Sequence, residues 1–166
     1  MPPARSNTAV IAFGGNKGDV RQNIAAALAM LENLGRVEKI SPLFITEPEG
    51  FKEQPDFING ALLLKTELGA RELLKELKNI EAKTGRTPTF TNGPREMDLD
   101  IIFFNNEIIE APGLTIPHPR AKNRDFVLMP LSFIAPGYKH PATGETVSQM
   151  LKNVIESKYA NGGIQK

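Results

Sequence analysis

The chain of 166 residues has no cysteine. That excludes disulfides and thiolate chemistry and suits a reducing compartment. No apolar run approaches the ~20 residues of a membrane-spanning helix. The opening residues, Met1 to Ser6, lack the apolar stretch of a secretion signal, so a cytoplasmic protein is expected. Neither sign of charge is in excess: 20 Lys and Arg face 19 Asp and Glu, for a net charge of +1. No global basic field therefore argues for nucleic acid. There is no Gly-x-x-x-x-Gly-Lys-Ser/Thr motif, so a phosphate would need another cradle. Gly14-Gly15-Asn16-Lys17-Gly18 has the spacing of neither a P-loop nor a dinucleotide fingerprint and reads as a structural turn. Without repeats, low-complexity tracts or a long linker, residues 1–166 are expected to form a single domain. Its ordered core should run from about residue 8 to 156, with frayed ends at residues 1–7 and 157–166.

What is present is led by Arg95-Glu96-Met97-Asp98-Leu99-Asp100-Ile101-Ile102-Phe103-Phe104. As a strand, it places Met97, Leu99, Ile101 and Phe103 on one face, which suits a core. Asp98 and Asp100 fall on the other, roughly 6–7 Å apart. Two carboxylates on an apolar strand are costly unless something positive meets them. Hard cations such as Mg²⁺ take such oxygens and share them with phosphate, and Arg95 could grip a phosphate oxygen. The alternative is a solvated edge strand kept soluble by its aspartates.

Element order follows from period and punctuation. Ala9 to Phe13 reads as a buried strand. A helix begins after an Asp19 N-cap, with Val20, Ile24, Ala27, Leu28 and Leu31 on one stripe. Val37 to Ile45 reads as a second strand broken at Pro42, and Phe57 to Thr66 as a third. A helix from about Ala70 to Thr84 carries Leu73, Leu77 and Ile80 and stops at Gly85. Met97 to Phe104 is the fourth strand, from which Asn105-Asn106 could turn into Glu107-Ile108-Ile109 as a hairpin. This is the ferredoxin-like βαββαβ order, an α+β fold. It predicts a mostly antiparallel sheet with helices on one face and added helices near residues 124–133 and 146–153.

Two connections, 46–56 and 86–96, are unusually long, as lids and binding loops often are. His118, Arg120, Lys122 and Arg124 form a basic cluster suited to polyphosphate; a solvated basic turn is the alternative. Phe57 and Asn59 share a strand face, where a ring and an amide could take a flat heterocycle, unless Phe57 is plain core. Glu81, near a helix C-terminus, runs against the dipole and reads most simply as exposed.

Four ordered segments carry a resemblance. They are Thr46-Glu47-Pro48, Gln54-Pro55-Asp56-Phe57-Ile58-Asn59, Gly93-Pro94-Arg95 with Asp98-Leu99-Asp100, and Ile116-Pro117-His118-Pro119-Arg120 continuing to Arg124-Asp125-Phe126. Together, over roughly residues 10–151, they resemble the 6-hydroxymethyl-7,8-dihydropterin pyrophosphokinases of folate biosynthesis. The resemblance implies transfer of the β,γ-diphosphoryl unit of ATP to the pterin hydroxymethyl group, with release of AMP. It implies two Mg²⁺ ions on Asp98 and Asp100, and Arg86 and Arg95 acting in catalysis. His118 and Arg124 would join those arginines on phosphate, with Arg86 swinging in on its loop. Glu81, Ile101 and Thr115 would lie near the nucleotide. Phe57 and Phe126 would sandwich the pterin, and Asn59 with the backbone around Thr46, Glu47 and Glu49 would read its edge. A monomer acting on small molecules, with no nucleic-acid or membrane partner, is expected. A nucleotidyltransferase on the same aspartates and a ligand-binding domain without turnover are the rival readings. The departures from the family pattern are Asn92 for an aromatic residue, Thr87-Pro88 for a second basic residue, Gly15 for serine and Phe133 for an acidic residue.

Overall fold

The structure, a computed structural model, describes residues 6–160. The elements are β1 (Asn7–Gly15), α1 (Val20–Leu31), β2 (Arg36–Ile40), β3 (Phe44–Thr46), β4 (Phe57–Thr66), α2 (Ala70–Lys83) and β5 (Asp98–Phe104). There follow β6 (Ile109–Ala111), β7 (Leu114–Ile116), a 3-10 turn (Ala121–Asn123), α3 (Asp125–Ile134) and α4 (Val147–Lys158). The main sheet has the order β2-β4-β1-β5, with every pairing antiparallel. Each helical crossover, through α1 and through α2, skips one strand, which is the split βαβ topology expected.

Local chemistry sets the helix limits. Asp19 caps α1 by accepting the Gln22 amide at 3.2 Å. Thr84 caps the C-terminus of α2, and Gly85 follows at φ +90°, where an L side chain would be strained. Val20, Ile24, Ala27 and Leu31 from α1, and Leu73, Leu77 and Ile80 from α2, are buried against Ile11, Leu62 and Leu99 of the sheet. Each valine, leucine or isoleucine among them is worth roughly 1.5–3 kcal/mol of burial.

Four expectations change. Helices lie on both faces, not one: α3 and α4 bury Leu128, Leu131, Val147 and Met150 against Val10, Ala61, Ile102 and Phe103. Phe103 does not share a face with Leu99 and Ile101. The β1–β5 register shifts between Val10 and Ile11, leaving Ile102 unpaired there, and this bulge turns Phe103 into the second core. The segment read as one strand broken at Pro42 is two strands, both paired with β4. Asn105 does turn the chain, at φ 51°, but no hairpin forms with β5; β6 pairs instead with β7 in a separate ribbon. Of the ends expected to fray, Asn7 begins β1 and Ser157 and Lys158 belong to α4, while residues 1–5 and 161–166 lie outside the described residues. Among the described residues no helix is long and apolar enough to cross a membrane.

Candidate active site

The sheet face between β3 and β5 opens into a cavity of about 110 Å³. Its floor is a row of cross-strand partners. Asn59 of β4 faces Gly14 of β1, which faces Asp98 of β5; the next pair is Ala12 and Asp100. Small residues on the central strand leave room above it. A Cβ on Gly14 would collide with the Asn59 amide oxygen. Thr46, opposite Phe57 in the β3–β4 pair, accepts a 2.6 Å bond from Asn59 Nδ2 and fixes that amide.

Asp98 and Asp100 both face the cavity. Asp98 is held by two arginines, Arg95 Nη1 at 2.8 Å and Arg86 Nη2 at 3.2 Å. Burial, then the Asp98 charge, pushes the Asp100 carboxyl above its ordinary range, so a cation there would be strongly favoured. No group of three or more acidic or histidine side chains converges among the described residues. A Mg²⁺ ion on these two carboxylates would thus draw its other oxygens from phosphate and water, which is the donor set Mg²⁺ takes at nucleotide sites. The residues present fit that ion.

Around this floor stand His118, Arg124, Phe126, Glu47 and Glu49. Arg124, the residue before α3, donates to Glu49 at 3.2 Å and lies 5.4 Å from the centre of the Phe126 ring. His118 Nδ1 accepts the Arg120 amide at 3.3 Å. Burial, with Arg124 and Arg120 nearby, lowers its pKa and keeps it neutral. The cavity therefore collects Asp98, Asp100, Arg95, His118, Arg124, Thr46, Glu47, Glu49, Phe57, Asn59 and Phe126 of the residues proposed from sequence.

Four proposed residues lie elsewhere. Arg86 is not in the wall but reaches Asp98 from behind it. Ile101 is buried among the α1 and α2 side chains, and Ile102 faces the cavity in its place. Thr115 is exposed on β7, opposite Glu110. Glu81 is not the exposed glutamate its position suggested; only 3% of it is accessible. Its Oε2 accepts the Leu99 amide at 2.8 Å, and Lys78 and Arg86 each stand 3.4 Å from Oε1. Burial raises its pKa despite these partners. Its place was readable: Glu81 falls four residues after Leu77, on the apolar stripe.

Two further residues carry no site role in the sequence reading. Asn16 is buried and ties both long loops to β1: Nδ2 donates to Gln54 Oε1 and to the Pro55 carbonyl, both at 2.8 Å, and Oδ1 accepts the Arg95 amide at 3.0 Å. The turn read as merely structural is thus the brace of the site. Asn92, also in the wall, sits at φ 61°, which asparagine tolerates far better than a bulky aromatic.

Paired carboxylates, arginines and two aromatic rings gather around one cavity on a ferredoxin-like α+β fold, an arrangement of enzyme type. Residues 10–136 match the family 7,8-dihydro-6-hydroxymethylpterin-pyrophosphokinase (HPPK), and the chain belongs to that family. It is 40% identical over 154 residues to the 2-amino-4-hydroxy-6-hydroxymethyldihydropteridine pyrophosphokinase of Synechocystis sp., covering 92% of this chain and 78% of that one. It is 42% identical over 160 residues to Folic acid synthesis protein FOL1 of Dictyostelium discoideum, covering 96% of this chain but only 24% of that protein. In fold it resembles the HPPK-DHPS of Plasmodium falciparum, with a TM-score of 0.77 at 16% identity over 97% of this chain and 48% of that one. The chain thus spans about a quarter of FOL1 and about half of the Plasmodium chain.

Proposed function

We propose that the chain transfers the β,γ-diphosphoryl unit of ATP to the hydroxymethyl oxygen of 6-hydroxymethyl-7,8-dihydropterin and releases AMP, as a step of folate biosynthesis. One observation carries this reading: a single cavity joins the Asp98/Asp100 pair to the slot formed by Phe57, Phe126 and Asn59. A general nucleotide enzyme has no evident use for that slot. Membership of the family and the names of its relatives support it.

In this reading Phe57 and Phe126 hold the pterin ring between them. Asn59, oriented by Thr46, presents its amide oxygen to the ring edge, with Glu47 and Glu49 beside it. Asp98 and Asp100 would hold two Mg²⁺ ions, which would supply positive charge against the phosphates when bound. Arg95, His118 and Arg124 take phosphate oxygens, and Arg86 joins them from its place beside Asp98. His118, neutral, donates through Nε2 because Nδ1 is already an acceptor. Glu81, Ile101 and Thr115 place no side chain in the cavity wall. The reaction needs positioning and charge neutralisation more than a covalent nucleophile, so the lack of cysteine is no handicap. Residues of one copy of the chain line the cavity, in keeping with a monomer. The cytoplasm, where ATP is held, is its natural place.

The test is product analysis after mixing the protein with ATP, Mg²⁺ and the hydroxymethyl dihydropterin. AMP and diphosphorylated pterin in equal amounts are expected. ATP consumed to ADP or to inorganic pyrophosphate, with the pterin unchanged, would overturn the reading.

A further inference from the structure

The loop from Arg86 to Glu96 is closed at its neck by bonds that its tip does not share. Glu96 is buried, and its carboxylate accepts the Thr87 amide at 3.3 Å and the Thr87 hydroxyl at 2.9 Å. Lys17 adds its ammonium, 3.7 Å from Glu96 and 3.2 Å from Thr87 Oγ1. Just below this clasp both arginines are pinned through their backbones. The Arg86 amide donates to the Glu81 carbonyl at 3.1 Å. Arg95 exchanges two bonds with Asn16, at 2.9 and 3.0 Å.

The tip is held differently. Gly93 closes a turn on the Phe90 carbonyl at 2.9 Å. The Gly93 carbonyl accepts Arg95 Nε at 3.2 Å, and the rest of the tip touches the other long loop: Gln54 donates to the Asn92 carbonyl at 2.7 Å, and Phe90 meets Phe51 edge-on at 5.2 Å. Both of those rings are exposed. A moving tip would drag Arg86, only two residues before Pro88, unless something held Thr87 in place.

We propose that Glu96 is a positioning residue: by clasping Thr87 it splits the loop into a fixed neck and a moving tip. Arg86 and Arg95 then stay beside Asp98 while residues 88–92 open and close. The proposal rests on the diphosphoryl-transfer reading for its kinetic consequence. It runs against the expectation that Arg86 travels with its loop. Misplacing a group by about 1 Å can cost a hundredfold in rate, so a fixed neck has a clear use.

The test compares the wild type with Glu96→Ala, Glu96→Gln and the milder Thr87→Val, which removes one hydroxyl from an exposed residue. Wild-type production of AMP establishes the reaction independently. Glu96→Ala should lower kcat about tenfold with KM for the pterin within about twofold, because misplaced arginines act on the transition state and not on ring binding. Glu96→Gln should recover most of the loss, since its amide oxygen still accepts the Thr87 amide. Thr87→Val should lie between. Hydrogen exchange at the Thr87 amide should accelerate in Glu96→Ala, while exchange at Thr89 to Asn92 stays as in the wild type. Wild-type kcat and wild-type Thr87 protection in Glu96→Ala would overturn the proposal. So would equal losses in the alanine and glutamine variants together with a lowered melting temperature. Should the wild type make no AMP, the functional reading falls instead, and the exchange data still decide whether Glu96 partitions the loop.

Discussion

Asp98 and Asp100 stand on a strand whose neighbours are fixed by backbone bonds, with Glu81 gripping the amide between them from below. Glu49, Asn92 and Arg124 reach the same cavity from loops, through contacts that are few and partly exposed. The two walls suit different tasks. A preorganised floor can stabilise developing charge without rearranging, which is where electrostatic catalysis is strongest. A jointed wall can admit a flat substrate and then exclude water. Changes to the floor should therefore act on turnover, and changes to the wall on binding and access.

The floor should give the largest effect. Replacing both aspartates, Asp98→Ala with Asp100→Ala, should lower transfer by at least 10²–10³-fold, on the order of losing a main electrostatic group. The fold should survive, because neither side chain belongs to a core. Unchanged far-ultraviolet circular dichroism with AMP formation lost is the expected pair of results. An active double variant would sink the division and the metal assignment together. Next comes the aromatic wall. Phe57→Ala should weaken pterin binding about tenfold while ATP affinity stays within about twofold, since a stacked ring is worth about 1 kcal/mol beyond its buried area. Calorimetric titration of each ligand separates the two. Equal loss of both would mean that Phe57 is a structural prop of the β3–β4 edge and not a binding surface.

The same division explains which parts were legible in the sequence. Strand alternation alone put Asp98 and Asp100 on one face, and β4 matches its predicted limits from Phe57 to Thr66, because a period of two is a local property. The bulge that turns Phe103 away is not local. It is set by the register of β5 against β1, about ninety residues earlier in the chain. Helices on the second face were foreseen as helices but not as a layer, since their burial depends on Phe103 and Ile102 pointing outward. Asn16 was missed for a related reason. Its three partners, Gln54, Pro55 and Arg95, come from two distant loops, and a Gly-Gly-Asn sequence by itself signals only a turn. The aromatic and basic residues of the wall were recognised through family resemblance far more than through any pattern of their own.

The smallest effect sharpens the comparison most cleanly, because it needs no substitution. His118 belongs to the wall, and burial together with Arg124 and Arg120 lowers its pKa from the ordinary 6.5. His140 is also lowered, by burial and then by Lys122, but it lies outside the cavity, packed edge-on against Phe103. It serves as an internal control. The sign of the linkage is definite. The folded protein holds fewer protons than the unfolded chain just below pH 6.5, so each histidine leaves stability untouched above that value and subtracts from it as pH falls towards its folded pKa. Nuclear magnetic resonance titration should therefore give both imidazoles midpoints below 6.5. Binding of ATP with Mg²⁺ should then raise the His118 midpoint, since phosphate charge favours the imidazolium, and leave His140 where it was. If both midpoints move alike, the change is global and His118 has no private view of phosphate. If neither moves, the triphosphate lies along the floor alone, and the wall is left to the pterin.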